Sequence, residues 1–262
     1  MKAICISSSI ANFKNKLSMK YAGHPEWGAL HLFTPTIFFG MYHVGDYTKL
    51  LAHRGQRIVF WCGSDILNLE KSKKWQNILT NVKADHVCEN DVERLKLEKM
   101  GIFPRVQPMF FDAIYQFEPC FKPSNTPHVF LTAHEASREP YGLNLLDDIA
   151  RETPDVTFHV YGVKDQSHDN VIYHGRVPTK QFDKEIREYQ GALRLNAHDG
   201  FAETLAKSIL MAQHPISTIQ YPYIDYADSI QNVIYLLNHL KDKKEPNLAG
   251  ASYWKKLLQK PL

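Results

Sequence analysis

The sequence predicts two consecutive α/β domains, each built on a parallel sheet. Short apolar runs recur along the chain and alternate with stretches of helical periodicity. That alternation is typical of parallel strands joined by helical crossovers. Between the two halves, residues 118–127 contain three prolines and no periodic pattern, which indicates an interdomain linker.

The first half contains five predicted strands and two predicted helices. The strands are the apolar runs at residues 3–7, 36–39, 57–62, 85–88 and 105–108. Helical periodicity covers residues 45–55 and 90–100. In the second of these helices Asn90 is placed as an N-cap, and Gly101 is placed as the residue that ends the helix.

The same alternation restarts after the proline-rich stretch. Strands are predicted at residues 129–132, 157–161, 171–174, 192–196 and 215–220. Helices are predicted at residues 142–152, 202–213, 226–240 and 252–258. We therefore expect a first domain over residues 1–120, a second over residues 126–245, and a C-terminal helix and tail over residues 246–262.

The amino-acid composition limits the classes of protein to which the chain can belong. Hydrophobic residues make up 44% of the 262 residues and charged residues 23%, which is ordinary for a globular chain and excludes whole-chain disorder. The net charge of +3 and the pI near 8.5 permit an anionic ligand such as a nucleoside diphosphate. They fall short of the pI above about 9 that is typical of a dedicated nucleic-acid-binding domain.

Cysteine usage and the chain start favour a cytoplasmic setting. The four cysteines form no C-x-x-C pair, so we expect free thiols. The apolar run at residues 3–6 is too short for a signal peptide and fits a first strand. No window approaches 18 consecutive apolar residues, so no transmembrane segment is predicted.

Familiar catalytic motifs are missing from the sequence. There is no G-x-G-x-x-G after a strand, no P-loop and no G-x-S-x-G elbow. The 13 histidines show no H-E-x-x-H or other paired spacing, so no metal site is predicted. These observations argue against a dinucleotide enzyme of the usual kind, a P-loop NTPase, an α/β-hydrolase and a zinc enzyme.

The most informative segment is residues 194–201, which lead from a predicted strand through a polar loop into a predicted helix. A helix N-terminus carries unpaired N–H groups and a partial positive charge, which suits a diphosphate. Gly200 allows the backbone to approach a ligand closely. Asp199 fits two roles, as the helix N-cap or as an acceptor of hydrogen bonds from sugar hydroxyls.

His198-Asp199-Gly200 resembles the opening of the Glu-(seven residues)-Glu signature of GT-B glycosyltransferases, the family 4-like "glycosyl transferases group 1", in a subgroup that begins with His-Asp-Gly. Further segments resemble that family in the same order along the chain: residues 59–66, 85–106, 158–162, 170–177 and 215–216. The resemblance covers most of residues 36–240. It implies two Rossmann-like parallel-sheet domains facing a cleft, the GT-B fold.

The resemblance also implies a function and a set of site residues. It implies metal-independent transfer of a sugar from a nucleotide-sugar donor to an acceptor hydroxyl, with no cofactor. Asp65, His198 and Asp199 would be the catalytic residues, with Asp65 orienting or deprotonating the acceptor. The donor would be bound by Arg138, Gly162, Gly200, Phe201 and Lys207, and the acceptor side would include His43 and Ser64.

The sequence departs from the family pattern at several positions. Lys207 stands where the second acid of the signature is expected to hold the donor ribose, and a lysine cannot accept hydrogen bonds. Tyr141 stands where a basic residue might follow Arg138, and three serines, at residues 7–9, replace the expected glycine-rich loop.

Several alternatives stay open at this point. Asp65 could cap the turn that follows it, His43 could be structural, and Glu203 could pair with Lys207 along a helix surface. The acceptor could be a glycan, a lipid-linked sugar or a modified DNA base. A second function, non-catalytic binding of a nucleotide or a glycan by a relative that kept the fold, is also consistent with Lys207.

Overall fold

A computed structural model describes residues 1–167, 169–260 and 262 of the chain. It divides into two compact units. The first comprises Met1–Ala113, His198–Phe201 and Leu262, and the second comprises Ile114–Ala197 and Ala202–Pro261. The stretch just after Ala113 belongs to the second unit because it packs there: the Cys120 amide donates to the Met211 carbonyl at 3.0 Å.

The first unit contains a five-stranded parallel sheet. Its strands are β1 (Ala3–Ile6), β2 (Thr36–Phe39), β3 (Arg57–Phe60), β4 (Asp85–Cys88) and β5 (Arg105–Val106), hydrogen-bonded in chain order. Its helices are α1 (Lys14–Lys20), α2 (Val44–Ala52), α3 (Ser64–Glu70), α4 (Lys73–Leu79) and α5 (Asp91–Lys99). All five predicted strands are confirmed, whereas α1, α3 and α4 were not predicted.

Apolar side chains cover both faces of this sheet. One face packs Phe38, Val59 and Trp61 against α2, α3, α4 and α5. The opposite face packs Ile37, Phe60 and their neighbours against the segment that contains α1. Strands buried on both faces read as continuous apolar runs, which is why they are visible in the sequence.

Capping at α5 follows the sequence prediction. The Asn90 side chain accepts a hydrogen bond from the Glu93 amide at 3.0 Å, as an N-cap does. Gly101 follows the helix with φ of 79°, the left-handed conformation that glycine adopts without strain. Both assignments are confirmed.

The second unit contains a six-stranded parallel sheet. Its strands are β6 (His128–Thr132), β7 (Thr157–Tyr161), β8 (Val171–Gly175), β9 (Gly191–Arg194), β10 (Ile216–Ser217) and β11 (Asp225–Tyr226). Its helices are α6 (Leu143–Glu152), α7 (Thr179–Glu185), α8 (Glu203–Leu210), α9 (Ile230–Asn238) and α10 (Leu248–Leu258). The helix predicted from residue 226 begins at Ile230, because Ser229 caps it and Tyr226 lies in a strand.

Strand order in this sheet reverses at its centre. The order is β11-β10-β9-β6-β7-β8, so the chain moves outward from β6 in one direction and then from β9 in the other. In parallel sheets of this kind, ligands bind outside the carboxyl ends of the two strands at the reversal. Here those strands are β6 and β9, and the loops that follow them contain Arg138 and Asn196. Within the described residues, no helix is both long and apolar enough to cross a lipid bilayer.

Candidate functional site

The first candidate site lies in the second unit, where the reversal of the sheet meets the start of α8. The N-cap of α8 is Ala202, and in the described part of the chain no side chain caps it. Asp199 is therefore not the N-cap, which removes that alternative. A helix start without a capping side chain leaves backbone N–H groups for a ligand.

Two polar side chains near this helix start are buried and unpaired. Thr204, in the first turn of α8, is 6% exposed, and Asn196, after β9, is 5% exposed. Neither Thr204 Oγ1 nor Asn196 Oδ1 has a hydrogen-bond partner among the described residues. Because an unpaired buried polar atom costs about 1–3 kcal/mol, such atoms indicate a place where a ligand or water binds.

Arg138 follows β6 and is partly exposed. Its Nη2 donates to Asp165 Oδ2 at 2.6 Å, and its Nε lies 3.7 Å from Glu135 Oε1. The hydrogen bond to Asp165 raises the pKa of the guanidinium, which stays charged. The predicted phosphate-binding arginine therefore lies after β6 but is held by two carboxylates.

Gly162 is required by close packing. Its φ is 90°, and a Cβ at this position would overlap the carbonyl oxygen of Ala133, in the loop that follows β6. Close packing against Ala133 therefore explains the glycine at position 162, and its role in donor binding stays a prediction.

Lys207 is buried in an ion pair and is not displayed at a surface. Its side chain is 3% exposed, and Nζ lies 2.6 Å from Asp183 Oδ1, which α7 supplies. The ammonium group also lies 5.2 Å from the Phe117 ring centroid and 5.3 Å from that of Phe182. Aromatic faces and a carboxylate together compensate the buried charge. The predicted donor-binding lysine is thus committed to Asp183, a residue that sequence reasoning did not identify.

The second candidate site lies in the first unit, around the segment His198–Phe201. The Asn90 side-chain amide donates to the Asp199 carbonyl at 2.7 Å, and the Phe201 amide donates to Glu89 Oε2 at 3.1 Å. A Cβ on Gly200 would overlap Glu89 Oε2. The close approach of the Glu89 carboxylate therefore explains why position 200 is a glycine.

His198 presents one unpaired ring nitrogen. Its Nε2 lies 2.9 Å from the Gly63 carbonyl oxygen, and since a carbonyl only accepts, Nε2 carries the proton. Its Nδ1 is buried without a partner among the described residues. Burial lowers the pKa of His198, which favours the neutral ring. The Nδ1 lone pair is therefore able to accept a hydrogen bond from a ligand hydroxyl.

Asp65 is enclosed by backbone amides. It is fully buried, its Oδ2 accepts from the Met41 amide, and its Oδ1 accepts from the amides of Cys62 and Ile66, each at 3.0 Å. Burial raises the pKa of Asp65 to about 6 despite these three donors. Gly63, not Asp65, is the N-cap of α3, so these contacts tie Asp65 to the backbone around it, and its catalytic role stays a prediction.

The predicted acceptor-side residues are exposed. His43 precedes α2, and its Nε2 lies 2.8 Å from Ser9 Oγ. Ser64 begins α3, and its Oγ lies 3.5 Å from the Tyr42 hydroxyl. Their accessibility is compatible with contact to an acceptor, and their role stays a prediction.

Sequence reasoning missed two buried glutamates, Glu89 directly after β4 and Glu93 in α5. Glu89 accepts from the amides of Met109 and Phe201, each at 3.1 Å. Glu93 accepts from the Glu89 amide at 2.7 Å. Burial, supported by the nearby charge of Asp199, raises the pKa of Glu89 to about 8. The available signal was the pair of acids four residues apart, directly after an apolar strand.

A metal-binding cluster is not found in the part of the chain that the structure describes. There, no group of three or more His, Cys, Asp or Glu side chains could hold a metal ion. Independence from metals stays a prediction of the sequence analysis.

Comparison with known proteins identifies the fold. No protein-family model and no curated protein matches the sequence. Among solved structures, HepE of Anabaena, bound to UDP and glucose, has a TM-score of 0.66 at 11% identity over 98% of this chain and 95% of its own. The lipopolysaccharide outer core galactosyltransferase WaaB has a TM-score of 0.57 at 14% identity over 99% and 96% of the two chains.

A third neighbour is larger than this chain. TarM of S. aureus, crystallised as a point mutant with fondaparinux, α-GlcNAc-glycerol and UDP, has a TM-score of 0.57 at 12% identity. The match covers 86% of this chain but only 51% of TarM, so the chain spans about half the length of that neighbour. Two parallel-sheet α/β units and these neighbours give the chain the GT-B fold, as the sequence analysis predicted.

Proposed function

We propose that the chain is a glycosyltransferase that uses a nucleotide-sugar donor, and that its second unit binds the nucleotide. The neighbours support sugar transfer in general: HepE was solved with UDP and glucose, TarM with UDP, and WaaB is a galactosyltransferase. These likenesses are at fold level, so the donor site is argued from this chain's own residues.

The observation that carries the proposal is the pair of unpaired polar atoms at the start of α8. Thr204 Oγ1 and Asn196 Oδ1 are buried where β9 meets an uncapped helix start, at the reversal of the sheet. A diphosphate accepts hydrogen bonds from the Thr204 hydroxyl and from backbone N–H groups of the first turn. Negative charge that develops on the departing diphosphate is stabilised by these donors and by Arg138.

Asp183 is proposed to supply the carboxylate that position 207 lacks. Lys207 Nζ lies 2.6 Å from Asp183 Oδ1, and the Asp183 side chain is 21% exposed, so this carboxylate is partly open to solvent. A carboxylate accepts hydrogen bonds from the two hydroxyls of a ribose, which lysine cannot do. In this arrangement the lysine orients the acid and the acid contacts the nucleoside.

Contacts to the transferred sugar are assigned to His198 and Asp199. The unpaired Nδ1 of His198 accepts from a sugar hydroxyl, and the Asp199 carboxylate does the same. The acceptor is proposed to be a glycan or a lipid-linked sugar. The second candidate function, nucleotide binding without catalysis, keeps the same donor site and differs only in turnover.

A thermal-shift titration with UDP, GDP and ADP, with EDTA present, tests the donor site. A ligand that binds only the folded state raises Tm by mass action. We expect Thr204→Val to leave the ligand-free Tm unchanged or higher, because it removes an unpaired hydroxyl. We expect it to weaken the diphosphate by about tenfold, because a hydrogen bond to a charged group is lost.

Thr153→Val is the matched control. Thr153 is also buried in the second unit, but its hydroxyl donates to the Ile149 carbonyl at 2.7 Å. This variant should lower the ligand-free Tm and keep the affinity of the parent. If no nucleotide shifts the Tm of the folded parent, or if both variants weaken binding equally, the proposed donor site is wrong.

A further inference from the structure

A pair of buried carboxyl groups in the first unit holds the backbone of the segment His198–Phe201. Glu89 is 6% exposed, and one of its oxygens accepts from the Phe201 amide while the other accepts from the Met109 amide. Glu93 is fully buried and accepts from the Glu89 amide. Glu93 thus holds the backbone of Glu89, and the Glu89 side chain in turn holds the segment His198–Phe201.

Several contacts restrain this segment, and four of them are made by described side chains or would be made by an added Cβ. The Asn90 side chain binds the Asp199 carbonyl, Glu89 binds the Phe201 amide, and His198 Nε2 binds the Gly63 carbonyl. The fourth contact is steric, since a Cβ on Gly200 would overlap Glu89. Glu89 takes part in two of the four, so it restrains the segment more than any other of these side chains.

We propose that Glu89, supported by Glu93, is a positioning residue that holds His198 and Asp199 where they meet the ligand. This inference rests on the proposed function for the identity of the ligand, a sugar. The restraint itself is a property of the protein without any ligand. The two claims can therefore fail separately.

Protonation sets the strength of the restraint. The charged and titratable groups around Glu89 are mostly acidic, with one cation on α1: Asp65, Asp199, Glu93, Cys62, Tyr42 and Lys20. Glu93 Oε1 has no hydrogen-bond partner among the described residues. If Glu89 and Glu93 were both ionised, no hydrogen bond to this oxygen would offset the repulsion between them. Opening of the segment exposes Glu89 to water, where it ionises at its ordinary pKa, so the restraint weakens as pH rises toward about 8.

Hydrogen exchange of the Phe201 amide, normalised to its intrinsic rate at each pH, tests the proposal on the protein without ligand. Glu89→Ala should lower the protection factor of this amide by about tenfold, because its acceptor is lost. Glu89→Gln keeps one acceptor oxygen in place of two, so it should retain more protection at pH 7 than Glu89→Ala does. Between pH 5 and 8 the protection should fall more steeply in the parent than in Glu89→Gln, because only the parent gains by ionising at position 89 when the segment opens.

Controls separate this result from general unfolding. Glu26→Gln changes a 70% exposed glutamate of the same unit and should behave as the parent. Gly200→Ala introduces the Cβ that overlaps Glu89, so its effect on protection should be smaller in a Glu89→Ala background than alone. That non-additivity is measurable even where one single variant is destabilised.

The outcomes are distinct for the two claims. If Glu89→Ala keeps the protection of the Phe201 amide, or if Glu89→Gln loses as much as Glu89→Ala at pH 7, the positioning role is overturned. Once a donor is known, Glu89→Gln should lower kcat at pH 7, and Glu89→Ala should lower it further, because Gln keeps one acceptor oxygen and Ala keeps none. If protection of the Phe201 amide depends on Glu89 but no nucleotide binds, the positioning role of Glu89 stands and the proposed function is wrong.

Discussion

The two units bury ionisable groups in opposite ways. In the first unit Glu89 and Glu93 are buried, and burial together with the nearby charges of Asp65 and Asp199 raises the pKa of both. In the second unit the buried cation, Lys207, has a carboxylate at 2.6 Å. Burial of Glu89 and Glu93 is more favourable when they are protonated, whereas burial of Lys207 beside Asp183 is favourable when both partners are charged.

The second unit also contains a chain of three hydrogen-bonded histidines, of which His159 is buried. His128 Nδ1 lies 2.8 Å from His159 Nε2, and His159 Nδ1 lies 2.9 Å from His174 Nε2, across β6, β7 and β8. Each of the two hydrogen bonds between the rings contains one proton. The three rings can therefore bind one proton beyond their neutral state, but a second would break one of the two bonds. The difference between the two units is that the buried glutamates of the first lose stability toward alkaline pH, whereas the histidine chain of the second loses stability toward acid pH.

The two units also differ in the topology of their sheets. The first sheet runs in chain order without a reversal, and its buried acids act on backbone amides. The second sheet reverses between β6 and β9, and the unpaired Thr204 and Asn196 lie near that reversal. A place for a ligand is therefore expected from topology in the second unit alone.

The largest expected effect is loss of the ion pair in the second unit. Asp183→Asn removes the partner of a lysine that is 3% exposed, and we expect the free energy of unfolding to fall by about 3 kcal/mol. Urea titration measures it. Lys207→Met should cost less, because it leaves Asp183, which is partly exposed, to be solvated. Equal costs in the two variants would show that burial of Lys207 is not the source of the effect.

Alkaline pH should weaken the first unit through Glu89. The pKa of this acid is raised to about 8 from its ordinary 4.5, so the unfolded chain releases the proton first. Stability is thus fully present below about pH 4.5 and is lost as pH rises to about 8. We expect the free energy of unfolding of Glu89→Gln to fall less than that of the parent between pH 5 and 8. Parallel slopes would refute a buried neutral Glu89.

Acid pH should produce the smaller, opposite effect through the histidine chain. Burial and the neighbouring His128 and His174 lower the pKa of His159 to about 4, so the unfolded chain binds a proton first as pH falls below 6.5. Stability is complete above about pH 6.5 and is lost toward pH 4. His159→Phe keeps the ring and should flatten this slope. His86→Phe is the comparison in the first unit, since burial lowers the pKa of His86 similarly.

Much of the fold could be predicted because buried parallel strands are apolar runs. Residues 36–39, 85–88 and 157–161 match β2, β4 and β7 at both ends. Short helices escaped prediction: α3 follows β3 after only three residues, Trp61-Cys62-Gly63, and α7 carries mostly polar residues. Seven or fewer residues give too few turns for a periodic signal.

The site was harder to predict than the fold. His198, Asp199 and Gly200 stand in a motif, so the sequence indicated the segment. The partners of that segment and of Lys207 come from residues distant in sequence, 112 positions away for Glu89 and Phe201 and 24 for Asp183 and Lys207. One sequence contains no signal for such pairings, because spacing along the chain says nothing of contacts made by tertiary packing.

Release of nucleoside diphosphate from a nucleotide sugar tests the central claim, glycosyl transfer, most directly. The donor should carry the nucleotide that gives the largest thermal shift, and the assay should include glycan and lipid-linked acceptors. We predict release that an acceptor accelerates and that Thr204→Val reduces while Thr153→Val does not. A folded protein that binds the donor but releases no diphosphate with any acceptor would contradict the claim and identify a non-catalytic binding protein.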